Sequence, residues 1–220
     1  MSDMNTWDQL VYYFNHNGSY IMAQFLRHFL ISAYGVFLAA LLGVPLGIII
    51  ARKAHLRQFV MGIANVLQTI PSLAMISILM LGLGLGTKTV IATVFLYSLL
   101  PIISNTYTGI KNVSNDLVDV AKGMGMTKSQ CLFMVELPLS LSVIMAGIRN
   151  ALVVAIGITA IGAFVGGGGL GDIIVRGTNA TNGGAIILAG SLPTALMAIF
   201  SDIILGALQR MLEPKGNSHS

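Results

Sequence analysis

Charge is scarce in this sequence: Asp, Glu, Lys and Arg together make up 9% of its 220 residues, while 55% are hydrophobic and the mean hydropathy is +0.83. A water-soluble domain of this length cannot cover itself with so little polar surface, so the composition places the chain in a bilayer. Cysteine occurs once, at Cys131, which excludes an internal disulfide and reads as a reduced, small filler. Lys and Arg are missing from the first 24 residues, which removes the basic start of a secretory signal. Metal-ligand spacing is missing as well: His16, His28, His55 and His219 have no companions at useful intervals and read as surface or interfacial residues. No nucleophile with its base and no paired carboxylates can be assembled, so intrinsic catalysis is disfavoured. No basic and aromatic face offers itself to nucleic acid, and the net charge of +4 is explained by loop bias alone.

What is present is apolar length. Five segments, Phe25 to Ala51, Phe59 to Leu85, Val90 to Ile110, Leu139 to Val165 and Ala185 to Met211, each reach the roughly 20 residues that span hydrocarbon. Lipid cannot satisfy backbone polar groups and the runs do not alternate, so the expected fold class is all-α, a polytopic membrane protein of about five helices, with five or six left open. The organisation expected is an N-terminal segment 1–24, a transmembrane domain 25–212 and a tail 213–220. The first segment holds Trp7, Tyr12, Tyr13 and Tyr20 and reads either as a helix lying at the interface or as a disordered tail. Arg52, Lys53 and Arg57, then Lys111, Lys122 and Lys128, then Arg210 and Lys215 fall on one side; Arg27, Lys88 and Arg176 fall on the other. Positive-inside counting puts the N-terminus outside and the C-terminus in the cytoplasm.

One sizeable polar insertion, 111–138, separates the third and fourth segments. Ser114 or Asn115 can cap a short helix over Asp116 to Lys122, which Gly123 and Gly125 end. Thr127 and Gln130 have capping-box spacing for a second helix, and Pro138 is expected to stop it and turn the chain. Within this insertion Asp119-Val120-Ala121, then Gly125, then Val135-Glu136-Leu137-Pro138 resemble the EAA loop of bacterial ABC importer permeases, with Asp119, Val120 and Val135 replacing the usual Glu, Ala and Ile. Runs such as Gln68 to Ala74, Asn105 to Ile110 and Ile144 to Arg149 resemble the glycine betaine/carnitine/choline group of those permeases; the methionine permeases share the loop and the glycine stretch Gly166 to Gly171.

The resemblance implies a type I importer permease fold in a bacterial cell membrane, whose loop carries a coupling helix for a cytoplasmic ATPase. Asp119, Val120, Ala121, Gly125, Val135, Leu137 and Pro138 then belong to the coupling loop, with Asp119, Ala121 and Gly125 in the contact itself. The implied partners are a pair of ATPase subunits holding ATP and Mg, a second permease, identical or related, and an external substrate-binding protein that selects the solute. This chain itself would hold no cofactor and hydrolyse nothing.

Other features carry two readings each. Gly166-Gly167-Gly168-Gly169-Leu170-Gly171 has no following Lys-Ser or Lys-Thr, so it is no phosphate loop; it reads as a close-packed backbone path, a docking point or a helix terminator. Arg149 and Asp202 lie inside spans, either on the translocation path or as a structural or snorkelling pair. Gly43 with Gly47, Gly82 with Gly86 and Gly162 with Gly166 have the spacing of close helix approaches, and Pro45, Pro71, Pro101 and Pro193 of kinks or breaks. A stand-alone channel or a membrane anchor would share the composition but not the insertion.

Overall fold

The structure, a computed structural model, describes residues 5–213; Lys215, His219 and nearly all of the expected tail lie outside them. The first helix, α1 (Thr6–Arg52), runs from the N-terminal segment straight through the first span. No break falls between residues 24 and 25. The one irregular residue is Asn17, at φ −121° and ψ 16°, whose side-chain amide donates to the Tyr13 carbonyl at 3.2 Å. That local bond competes with the helical ladder, so the bend comes eight residues before the expected boundary.

The second apolar segment is not one helix. It divides into α2 (Ala54–Thr69) and α3 (Ser72–Leu83), bent by 100° at Ile70-Pro71. Pro71 has no N–H to continue the ladder, and Ile70 before it takes extended angles, φ −70° and ψ 128°. The freed Ile70 carbonyl accepts from the hydroxyl of Tyr97 in α4 (Thr87–Lys111), and the Tyr97 carbonyl accepts from the Gln68 side-chain amide at 3.0 Å, which ties the break to α4. Broken helices survive at membrane depth only with such support.

After α4 come α5 (Asn115–Gly123) and α6 (Lys128–Cys131), a π-helical turn (Leu132–Glu136), α7 (Leu137–Ile161), a 3-10 turn (Gly162–Val165), α8 (Leu170–Thr178) and α9 (Gly184–Met211). Pro138 does not end a helix, contrary to expectation: the helix runs on from Lys128 to Val165. The π turn is the reason. The Leu137 N–H reaches back five residues to the Leu132 carbonyl, and this wider turn makes room for a ring that would otherwise strike the preceding turn. Leu137 keeps helical angles beside the proline. Among the described residues four helices are long and apolar enough to cross a bilayer, and the bent pair α2–α3 makes a fifth if it is counted as one broken span.

The bundle is built around α1, α4 and α7, with α9 against α7 and α8. Small residues let α1 and α4 approach: a Cβ on Gly43 would come within 2.9 Å of Ile102, and one on Gly47 within 2.5 Å of Thr106. Lipid gives helices no hydrophobic reason to associate, so such close packing is what holds them. Gly162 packs in the same way on Val90 of α4. The other expected glycine contacts are absent, because Gly82 and Gly166 have nothing within 4 Å and Gly86 lies outside any helix.

Candidate functional site

At one end of the bundle the loop 111–138 folds on local bonds. The Ser114 hydroxyl accepts from the Asp116 N–H at 3.3 Å and caps α5. Gly125 takes φ +82° and closes the helix: its N–H donates to the Lys122 carbonyl at 2.9 Å, and the Met126 N–H reaches the Ala121 carbonyl at 3.1 Å. This left-handed stop suits glycine because a Cβ there strikes the backbone. The Thr127 N–H then donates to Gln130 Oε1 at 2.8 Å, and the Gln130 N–H to Thr127 Oγ1 at 3.3 Å, the reciprocal pair expected from their spacing.

Exposure divides the coupling residues. Asp119, Val120, Gly125 and Pro138 are exposed, Val135 and Leu137 are half-buried, and Ala121 is buried. Ala121 therefore seats α5 against its own chain, and the outward surface consists of Asp119 and Val120 with Leu117 and Met124. Lys122 Nζ donates to Asp119 Oδ1 at 2.9 Å, which holds the ammonium group above its ordinary range, chiefly through that hydrogen bond and then through the charge of Asp119. Exposed Leu117, Val120 and Met124 give α5 an apolar face left uncovered by the described residues, an arrangement that fits a helix seated in a groove.

The loop is anchored to the bundle by a bond that sequence reasoning missed. Glu136, 4% exposed in the π turn, accepts a hydrogen bond from Arg52 at the end of α1, and the Cys131 thiol approaches its other oxygen at 3.9 Å. A carboxylate flanked by Val135 and Leu137 was the available signal, since an acid among apolar residues needs a cation near it. Arg57 stacks 4.6 Å over Tyr107 at the same end, so Arg52, Arg57 and the basic residues of the loop gather on one side of the bundle.

At the opposite end the glycine stretch is stitched to α1. The His28 imidazole, expected at a surface, is completely buried: Nε2 donates to the Ile156 carbonyl at 2.9 Å, and Nδ1 accepts from the Leu170 N–H at 3.2 Å. The length of α1 brings the ring to the inner face of the bundle, where both nitrogens find backbone partners. Gln24 Oε1 accepts from the Gly169 N–H at 2.7 Å. The Arg27 guanidinium lies over Gly168, where a Cβ would sit 2.4 Å from it, and donates to the Thr87 hydroxyl at 3.0 Å; that hydroxyl donates in turn to the Gly167 carbonyl at 3.2 Å. Close packing is thus the reason for Gly167, Gly168, Gly169 and Gly171, whereas Gly166, in open space, is suited by its positive φ, which Gly168 and Gly169 share.

Inside the spans, Arg149 of α7 and Asp202 of α9 form a two-pronged ion pair, Nε to Oδ1 at 2.5 Å and Nη2 to Oδ2 at 2.6 Å, with Gln209 Oε1 at 3.5 Å from Nη1. Of the two readings left open for these residues, the pair itself is present. Among the described residues no group of three or more His, Cys, Asp or Glu side chains is placed to hold a metal ion.

A bundle of broken and unbroken spans with a capped loop projecting from one end defines a polytopic permease of the type I ABC importer fold. In an inward-facing MetNI methionine ABC transporter, a chain superposes with a TM-score of 0.78 at 18% identity, covering 87% of this chain and 95% of that one. The family model described as "Binding-protein-dependent transport system inner membrane component" matches residues 43–216, and the chain belongs to that family. The carnitine transport permease protein OpuCD of Listeria monocytogenes is 63% identical over 97% of this chain and 96% of its own length. The glycine betaine/carnitine/choline transport system permease protein OpuCD of Bacillus subtilis (strain 168) is 61% identical, over 97% and 95%. The carnitine transport permease protein OpuCB of Listeria monocytogenes is 40% identical over 94% of this chain and 95% of its own.

Proposed function

We propose that this chain is the membrane permease subunit of an ATP-driven importer for quaternary-amine osmoprotectants, the class that includes glycine betaine, carnitine and choline. The observation that carries it is identity of 61–63% along nearly the whole chain to permeases named for those solutes. Solved structures of methionine transporters share the fold at 18–20% identity, a level that speaks to architecture and not to solute.

In this reading the exposed face of α5 seats on a cytoplasmic ATPase that binds ATP and Mg, and an external binding protein selects and delivers the solute. The C-terminus and the basic end of the bundle lie in the cytoplasm, the N-terminus outside. The second permease is a related chain and not a copy of this one. Relatives in Listeria monocytogenes and Bacillus subtilis support this, since each carries both an OpuCD at 61–63% identity and an OpuCB at 39–40%.

The test is uptake of labelled glycine betaine, carnitine, choline and methionine at high osmolarity, with the gene deleted and then restored as wild type or Gly125→Asp. Loss of amine uptake, rescued by wild type alone, supports solute class and coupling loop together. Retained amine uptake with lost methionine uptake overturns the solute class.

A further inference from the structure

The Arg149–Asp202 pair sits in an unusual place for two charges. Counting at 1.5 Å per residue, Arg149 lies about 18 Å along α7 from Leu137, and Asp202 about 14 Å from the end of α9 at Met211, so both are well inside the hydrocarbon depth. Yet their side chains remain 34% and 40% exposed. A charge left open at that depth has to face water or protein, because lipid offers it no partner.

The surface around the pair agrees. Asn150 and Gln209 join Arg149 and Asp202 in lining a hollow of about 350 Å³ floored by Ala146 and Val153. Two other hollows on the bundle are walled almost wholly by apolar side chains, among them Phe59 and Val66 in one and Leu41 and Phe95 in the other. This polar hollow, which runs along α9 from Asp202 to Gln209, marks the side of the subunit that meets the aqueous path. Gly206 opens the slot for the guanidinium, since a Cβ there would stand 3.1 Å from Nη1.

We propose that this pair is a charge-exchange station for the transported solute, an inference that rests on the solute class proposed above. The quaternary ammonium group displaces Arg149 at the Asp202 carboxylate. When the solute carries a carboxylate of its own, as glycine betaine and carnitine do, that group takes the vacated guanidinium fork, whose planar geometry matches it. One ion pair then becomes two, no charge is left uncompensated, and return to the empty pair releases the solute. A path needs sites that bind weakly enough to empty, and a competing internal partner provides that. Choline has no carboxylate, so Arg149 only opposes it.

The experiment measures maximal uptake of labelled glycine betaine and choline by the complete transporter in cells, at solute concentrations that saturate the binding protein. Arg149→Gln is expected to raise the choline-to-betaine ratio by about tenfold, because the repelling cation and the fork are both removed. Asp202→Asn is expected to depress both solutes by about tenfold. The double variant Arg149→Gln/Asp202→Asn retains hydrogen bonding between α7 and α9 while lacking both charges, so it separates fastening from transport. A fastener predicts near-normal uptake in that variant and an unchanged ratio in Arg149→Gln; either result overturns the proposal. Should Arg149→Gln not reach the membrane, the double variant decides alone. A wild-type chain that moves neither solute contradicts the solute class instead.

Discussion

The two ends of this bundle use the same local vocabulary, glycines at positive φ beside short helices, for opposite purposes. At one end the stretch from Gly166 to Leu170 is held by Gln24, Arg27 and His28, three side chains from little more than one turn of α1 that reach across more than 140 residues of sequence. At the other end the loop of α5 and α6 is held by its own caps and by one ion pair, Arg52 with Glu136, and leaves Val120 and Met124 bare. The first is a sealed internal junction. The second is prefolded, loosely moored and apolar on the outside, which is how a surface meant for another molecule is built.

If that contrast is right, the largest loss of stability comes at the sealed end. His28→Ala removes a donor and an acceptor from completely buried backbone groups and leaves a hole, and is expected to cost about 3 kcal/mol; thermal unfolding of the detergent-purified chain checks it. A drop smaller than that of any loop variant below would erase the distinction between the ends.

Next is the mooring. Arg52→Met leaves the Glu136 carboxylate buried without its cation and is expected to cost about 2 kcal/mol, discounted because the Arg52 side chain is 41% exposed. Replacing both residues by Met should recover most of that loss, since two apolar side chains leave no orphan charge.

Smaller effects belong to the loop itself. Gly125→Ala forces a Cβ into the left-handed region and is expected to cost about 1 kcal/mol, with ATP-driven uptake falling further than stability does. Thr127→Ala should cost about 1 kcal/mol or less, seen as faster hydrogen exchange at the Gln130 amide while α7 stays protected.

Smallest is the exposed pair on α5. Its hydrogen bond raises the Lys122 ammonium above its ordinary value, so the contribution is complete below about pH 10.4 and is lost as pH rises through the higher folded value. Stability should therefore be flat with pH from 6 to 9 as far as this pair is concerned, and Asp119→Asn should leave unfolding unchanged. An effect of that variant on ATPase association without one on unfolding would sharpen the assignment of α5 to a docking face.

How far the sequence speaks follows the reach of each interaction. The Thr127–Gln130 box and the cap of α5 close within three residues, so spacing alone identified the box and narrowed the cap to Ser114 or Asn115, of which the structure has Ser114. The spans announce themselves through length and hydropathy. His28 gives no such sign: its partners are Ile156 and Leu170, and nothing near it along the chain distinguishes a buried imidazole from an interfacial one. Pro71 and Pro138 show the same limit. Both lack the N–H, but a bend of 100° follows at one and a continuous helix at the other, because Tyr97 receives the broken ends in the first case and a widened turn absorbs the ring in the second. The Arg149–Asp202 pair was legible only as two misplaced charges; their meeting required α7 and α9 side by side.

The unbroken run from Lys128 to Val165 makes the second half of the loop and the fourth span one continuous helical arm of 38 residues. From Lys128 to Arg149 its arm is about 32 Å long, so a tilt of about 10° about one end carries the other by about 5 Å, roughly one helical turn. A small push at the loop end would thus be passed along one helix to the depth where the two charges meet. The proline that looked like a stop is the place where a widened turn keeps that arm continuous.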